Sequence, residues 1–270
     1  MDRKIVTVKS YANIAIIKYW GKFDAAKMIP ATSSISLTLE NMFTTTSVSF
    51  LPDSASHDEF YINGVLQDDK EHAKISTIID QYRGQRSEYV KVETSNNMPT
   101  AAGLSSSSSG LSALVKACNE LFETGLSQAE LAQKAKFASG SSSRSFFGPL
   151  AAWDKDSGEV YPVQTDLKLA MIMLVLSDSK KPISSREGMK RCVETSTTFA
   201  DWVKQSEQDY KDMLVYLKDN DFERVGELTE RNALAMHDTN THANPPFNYL
   251  TDDSYKAMDF VKQLRSEGEK

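Results

Sequence analysis

Cysteine, histidine and long apolar runs are all scarce in this 270-residue sequence, and each scarcity closes off a class of protein. Two cysteines, Cys118 and Cys192, cannot build a disulfide framework and fit a reduced, intracellular chain. The four histidines, His57, His72, His237 and His242, form neither an HExxH nor an H-x3-H pattern. With no cysteine cluster beside them, no metal site built from protein ligands is expected. No stretch reaches the roughly 18 apolar residues of a membrane-spanning helix, so no membrane span is expected. The N-terminal stretch lacks a signal peptide's uninterrupted apolar core and its small-residue cleavage site, which leaves the cytoplasm as the expected compartment. Basic residues are in the minority, 31 against 37 acidic ones for a net charge of −6, which argues against a nucleic-acid partner. An anionic ligand would have to be held by a few placed cations. Neither GxxxxGK[ST] nor GxGxxG occurs, so the Walker and dinucleotide-binding loops are excluded.

What is present reads as a mixed α and β chain. Ile5, Val6 and Val8, then Ile14 to Ile17, read as strand, and so does the β-branched stretch 35–50. Phe60-Tyr61-Ile62 before Asn63-Gly64 predicts a hairpin tip. Ile75, Ile78, Ile79 and Tyr82 recur at helical spacing over 71–83, and 89–93 is a short strand. A helix follows from about residue 110, with Leu111, Leu114, Val115, Cys118, Leu121 and Phe122 on one face. Ser127 with Glu130 makes a capping box for a helix that stops at Gly140. The apolar run LKLAMIMLVLS, 167–177, is expected as a buried strand, and 186–236 and 252–267 as mostly helix. A domain boundary near 165–180 divides the chain into 1–170 and 171–270. The second part, with one strand and several helices, has too few strands for a sheet.

Four segments can carry chemistry. In NMPTAAGLSSSSSG, 97–110, five serines stand between a strand and a helix. Two readings remain open there, a phosphate cradle of backbone N–H groups and hydroxyls at a helix N-terminus, or a plain helix cap. In SYANIAIIKYWGK, Asn13 and Lys18 interrupt an apolar strand and Lys22 follows; the lysines either face solvent from an edge strand or deliver charge to a phosphate or carboxylate. In FASGSSSRSFFGP, small residues flank Arg144, which fits a guanidinium gripping a carboxylate or an ordinary surface arginine after a helix cap. In KKPISSREGM, Ser184, Ser185 and Arg186 are a helix cap or a second anion contact.

Taken in order, NIAIIKYWGK, PTAAGLSSSSSG, SGSSSRSFFGP and KKPISSREGM resemble diphosphomevalonate decarboxylase, a family of the GHMP small-molecule kinase superfamily. MHDTNTHANPPFNYL, 236–250, is also similar to that family's late segment. The resemblance implies an α+β, two-lobed GHMP-kinase fold: an N-terminal lobe like the second domain of ribosomal protein S5, and a ferredoxin-like C-terminal lobe. It implies a cytoplasmic homodimer that uses ATP and Mg²⁺ to phosphorylate the 3-hydroxyl of mevalonate 5-diphosphate. Loss of phosphate and CO₂ then gives isopentenyl diphosphate. Gly103, Leu104, Ser105, Ser106, Ser107, Ser108 and Ser109 are implied to wrap the ATP phosphates. Tyr19, Trp20, Gly21, Lys22 and His72 are implied as substrate contacts, together with Ser139, Gly140, Ser141, Ser142, Ser143 and Arg144. Ser185, Arg186 and Met189 are implied near the diphosphate, with Arg144, Lys18 and Asn13 at the reacting centre and Arg144 on the carboxylate.

The sequence departs from the family in one respect. The family's catalytic aspartate lies in a late segment of the type MDAGPN, which has no match here, so a C-terminus shortened relative to the family is expected. The alternatives are a mevalonate or phosphomevalonate kinase of the same superfamily, and an inactive nucleotide-binding relic.

Overall fold

The computed structural model of the chain describes residues 4–98, 106–176 and 183–269, and of residues 106 and 107 the backbone alone. The first half contains β1 (Ile5–Ile17), β2 (Lys22–Asp24), β3 (Ile29–Pro30), β4 (Ser34–Phe50), β5 (Glu59–Ile62) and β6 (Val65–Leu66), then α1 (Asp69–Arg83) and β7 (Val90–Asn96). There follow α2 (Ser106–Leu121), α3 (Gln128–Ala138), a 3₁₀ turn (Ser142–Phe146), β8 (Leu150–Trp153) and β9 (Val160–Val163). Four helices complete the described chain: α4 (Ser185–Thr195), α5 (Phe199–Lys218), α6 (Phe222–Thr241) and α7 (Asp252–Ser266).

β4 is the spine. It pairs antiparallel with β1 along its length, and on its other edge with β8 at Ser34–Leu37 and β7 at Thr44–Phe50. The strand order is β6-β5-β7-β4-β8-β9, with β1 added on β4, and β5 runs parallel to β7. Between β8 and β7, residues 38–43 of β4 have no strand on that edge among the described residues. Loop groups close it instead: Thr38 N–H donates to Pro149 O at 2.8 Å and Phe43 N–H to Asn97 Oδ1 at 2.7 Å. Asn13 stands opposite Thr38 in the β1–β4 register, so this interrupted stretch adjoins one of the chemically interesting residues.

The local signals hold where they are periodic. Ile75, Ile78, Ile79 and Tyr82 are the buried stripe of α1, and the Ser127–Glu130 capping box opens α3. The α2 stripe from Leu111 to Phe122 lies in one core with Val48, Val90, Val92 and Ile79. The opposite face of the sheet, through Ile17, Ile35, Leu37 and Leu150, packs on Met213 and Leu217 of α5 and Leu228 of α6. A third cluster gathers Trp20 with Cys192, Phe199, Trp202 and Met236.

The apolar run 167–177 is a correction. Residues 167–176 form no strand: Leu167 and Leu169 rest against the second core, but Ile172 is 85% exposed and Leu174 62%. No described strand flanks the segment, so its backbone groups have no ladder to join. An apolar run asks for burial but does not itself supply the neighbour that provides it.

Leu217 is wholly buried between the sheet and the α5–α6 pair. Leu217→Ala is expected to lower stability by about 2–5 kcal/mol, read from the denaturant midpoint, because the rigid strand face opposite cannot collapse into the cavity.

Candidate active site

Arg144 is the most demanding residue in the chain. It lies in the 3₁₀ turn, 2% exposed, and burial pushes its guanidinium down to about 10, so it stays charged at neutral pH. Its Nε donates to Ser36 Oγ at 2.6 Å, and its NH1 to Ser34 Oγ at 2.9 Å and Gly140 O at 3.4 Å. All three acceptors are neutral. No carboxylate pairs with Arg144 among the described residues, although burying an uncompensated charge costs several kcal/mol. Such a group marks a place where an anion belongs.

The cations here form two coupled pairs, Lys18 with Arg144 and Lys22 with Arg186. Lys18 follows β1; burial, and then the nearby Arg144 charge, lower its ammonium to about 8. Lys22 is lowered by burial and then by Arg186, and Arg186 itself is exposed at the first turn of α4. Between them lies Tyr19, whose ring centre is 5.9 Å from the Arg144 guanidinium carbon. Burial raises the Tyr19 pKa against the pull of Arg144 and Arg186, so it remains a phenol. Its buried hydroxyl has no hydrogen-bond partner among the described residues. The two pairs are thus linked through one phenol, and no carboxylate pairs with any of the four cations among the described residues.

The backbone is shaped around this group. A Cβ on Gly140 would come within 2.8 Å of the Tyr19 ring, so only glycine lets the Ser139–Ser141 turn approach. Ser142 Oγ donates to Ala135 O and Ser139 O at 2.7 Å each, and Ser143 Oγ to Gly140 O at 3.1 Å; these hydroxyls hold the turn. Ser139 and Ser141 are half-buried and share one hydrogen bond, Oγ to Oγ at 3.1 Å. Asn13 Nδ2 donates to Ser141 O at 3.0 Å and Ser145 Oγ at 2.8 Å, locking the same turn to β1.

The remaining expected residues divide. Trp20 is buried in the third cluster with its ring 6.1 Å from that of Tyr249, and Met189 packs against that cluster. Gly21, at φ +90°, sits beneath Phe199 and Val193, where a Cβ would meet carbon atoms at 2.6 and 2.9 Å. Ser184, not Ser185 or Arg186, caps α4 by accepting the Glu187 N–H, which leaves Arg186 for a ligand. His72 lies on α1, where its Nε2 accepts the Phe60 N–H at 3.3 Å and its ring is 6.2 Å from His57; those contacts are with β5 and the loop before it, not with Arg144. Gly103, Leu104 and Ser105, and the side chains of Ser106 and Ser107, lie outside the described residues. Ser108 and Ser109 are fully buried, and Ser109 Oγ lies 2.7 Å from Thr44 Oγ1, so the Ser109 hydroxyl faces the sheet. No group of three or more His, Cys, Asp or Glu side chains able to hold a metal occurs among the described residues.

Sequence reading missed Ser34 and Ser36. Their signal is a pair of small hydroxyls alternating with Ile35 and Leu37 on β4, which marks one polar face of an otherwise apolar strand. Lys116 was also missed. It donates to Ser10 Oγ and Ser145 O, both at 3.3 Å, behind the turn that carries Arg144.

Known proteins share this arrangement of segments. The family described as "Diphosphomevalonate decarboxylase-like N-terminal domain" matches residues 10–162, and "Mevalonate 5-diphosphate decarboxylase C-terminal domain" matches 171–270. The mevalonate pyrophosphate decarboxylase of Streptococcus pyogenes is 74% identical and superposes with a TM-score of 0.95, over 99% of this chain and 85% of that one. A protein named MDDEF, solved with MVAPP, AMPPCP and magnesium, is 37% identical with a TM-score of 0.89, over 99% and 84% of the two chains. Diphosphomevalonate decarboxylase of Candida albicans is 32% identical over 97% of this chain and 78% of its own length. With both halves matched and identity at that level over most of each relative, the chain belongs to the diphosphomevalonate decarboxylase family, with its GHMP-kinase fold.

Proposed function

We propose that the chain catalyses ATP-dependent decarboxylation of mevalonate 5-diphosphate to isopentenyl diphosphate. The observation that carries this reading is the desolvated Arg144, with no carboxylate partner among the described residues, coupled to Lys18 and linked through Tyr19 to Arg186 and so to Lys22. A ligand with a carboxylate at one end and a diphosphate at the other supplies the missing charges. Relatives whose names carry this reaction, and MDDEF solved with MVAPP, AMPPCP and magnesium, support the same choice.

The chemistry follows from charge. The γ-phosphoryl group of ATP, whose charge Mg²⁺ would screen, passes to the tertiary 3-hydroxyl as its bond to ADP breaks; the hydroxyl proton passes to water, and the phosphorylated oxygen is a good leaving group. When that phosphate departs with its electron pair, C3 becomes electron-deficient. The C–C bond to the carboxylate breaks, its electrons form the new double bond, and CO₂ leaves with ADP and phosphate as the other products. Arg144 holds the carboxylate in the plane that fits this cleavage, a bidentate task for which guanidinium is suited. Lys22 and Arg186 hold the diphosphate, Lys18 adds charge near the transferring group, and Tyr19 and the Ser139 and Ser141 hydroxyls fix orientation. With Ser109 turned to the sheet, the first-turn backbone N–H groups of α2 are what the described helix offers to an ATP phosphate. Catalysis of this kind is mostly positioning and charge stabilisation. A cytoplasmic homodimer, with an N-terminal lobe over 1–170 and a C-terminal lobe from 171, completes the proposal.

The direct test uses mevalonate diphosphate labelled in its carboxyl group. CO₂ release in step with ADP is expected; ADP without CO₂ would make the protein a kinase instead. Arg144→Ala should lower kcat on the order of 10²-fold or more, since misplacing a reacting group costs about that much. Arg144→Lys should not restore it, and a loss confined to the KM for ATP would refute the assignment.

Lys18 sets a pH dependence whose sign is fixed. Its free-state value of about 8 lies below the ordinary lysine value of 10.5, so between these the empty site is neutral at Lys18. A bound anion favours the charged form. Binding of pyrophosphate at pH 9 is therefore expected to take up a proton, and affinity to fall as pH rises through about 8. Calorimetry in two buffers of different ionisation enthalpy reads the proton, and Lys18→Met should abolish its uptake.

A further inference from the structure

The peptide groups of Lys18 are held from two sides. Its C=O accepts Thr32 Oγ1 at 3.0 Å, which ties it to the first half of the chain. Its N–H donates to Asn232 Oδ1 at 2.8 Å, across 214 residues of sequence, on α6. Asn232 is fully buried and has no freedom to turn over. Its Nδ2 donates to Asp209 Oδ2 at 2.9 Å and Ser206 Oγ at 3.2 Å, both on α5. Asp209, 1% exposed, also accepts from Arg231 at 2.7 Å and Gln205 at 2.9 Å, so its carboxylate takes three donors and offers none. An acceptor-only group therefore fixes the amide: Nδ2 must face Asp209, and Oδ1 must face Lys18.

A buried polar network at a helix–strand contact has cheaper apolar alternatives, so its retention here asks for a reason beyond packing. Its end point supplies one. The N–H it holds belongs to the residue that starts the Lys18–Lys22 segment, and Lys18 Nζ itself turns back to Ala15 O at 2.6 Å. Fixing the peptide before Lys18 fixes where Lys18 and Tyr19 leave the strand, and so where both point relative to Arg144.

We propose that Asn232, oriented by Asp209, is a positioning residue that sets the placement of Lys18 and Tyr19 at the anion site. It touches no reacting atom and acts through the Lys18 peptide. This rests on the reading of that site as the mevalonate-diphosphate site, so its test includes measurements on the free protein.

Three variants decide it: Asn232→Leu, Asn232→Asp, and the double exchange Asn232→Asp with Asp209→Asn. The first removes the acceptor for Lys18. The second keeps that acceptor but sets two carboxylates against each other. The third restores one donor facing one acceptor, with the charge moved from α5 to α6. In the free protein, amide hydrogen exchange at Lys18 should quicken at least 10-fold in the two single variants relative to core amides such as Val48, and return to within about threefold in the double exchange. Affinity for inorganic pyrophosphate should fall and recover in the same order. Turnover should follow, with kcat down about 10- to 100-fold in the single variants and the KM for ATP within twofold. Unchanged Lys18 exchange in folded single variants would overturn the proposal whatever the turnover. Faster exchange with pyrophosphate affinity and kcat both intact would also overturn it, leaving Asn232 a packing residue. A wild type that binds pyrophosphate but releases no CO₂ would instead overturn the reaction assignment, and the exchange and affinity results would still decide the role of Asn232.

Discussion

A charged guanidinium kept out of water with no negative charge beside it is costly to fold, and the surroundings of Arg144 are organised around that cost. Two strand hydroxyls and a carbonyl accept from Nε and NH1 without neutralising it, and none of the hydrogen bonds among the described residues uses NH2. A carboxylate at any of those positions would have stabilised the empty protein more, and would compete with any anion brought to the guanidinium. The same logic extends outward, since Arg144 lowers Lys18 and Arg186 lowers Lys22, and none of these cations pairs with an acid among the described residues. In a chain with a net charge of −6, this concentration of positive charge depends on which residues the fold brings together.

The second half of the chain contributes more than a lid of helices. Phe199 and Val193 close over Gly21, Trp20 is sunk among Cys192, Trp202 and Met236, and Asn232 grips the Lys18 peptide. The segment that carries the cations is thus built by β1 but held by α4, α5 and α6. Its geometry belongs to the contact between the halves, which explains why a strand with two lysines does not turn them both to solvent.

Much of this was legible in the sequence, and the reasons differ residue by residue. The α1 and α2 stripes follow from spacing alone, because a periodic apolar face has one way to be buried. Arg144 stood out because small residues crowd it on both sides. Its partners did not: Ser36 and Ser34 lie 108 and 110 positions away, and no local pattern links them to an arginine. Asn232 had a faint signal, a polar residue four positions after Leu228 and four before Met236 on the buried stripe of α6. The run 167–177 misled because hydrophobicity records a preference for burial without naming the surface that meets it. The serine loop stayed ambiguous for a related reason, since hydroxyls suit a phosphate and a strand face equally, and Ser109 takes the strand.

The glycines at 21 and 140 carry a consequence for engineering. Each is pinned by an aromatic ring, Phe199 over one and Tyr19 against the other, so neither position accepts even a methyl group without moving a ring that shapes the site. Libraries aimed at new substrates therefore have little to find there. The adjustable positions are Ser139 and Ser141, half-buried, and Arg186, exposed on the first turn of α4. Evolution of this scaffold toward other acidic substrates is channelled through those three side chains, while the backbone beneath them stays fixed.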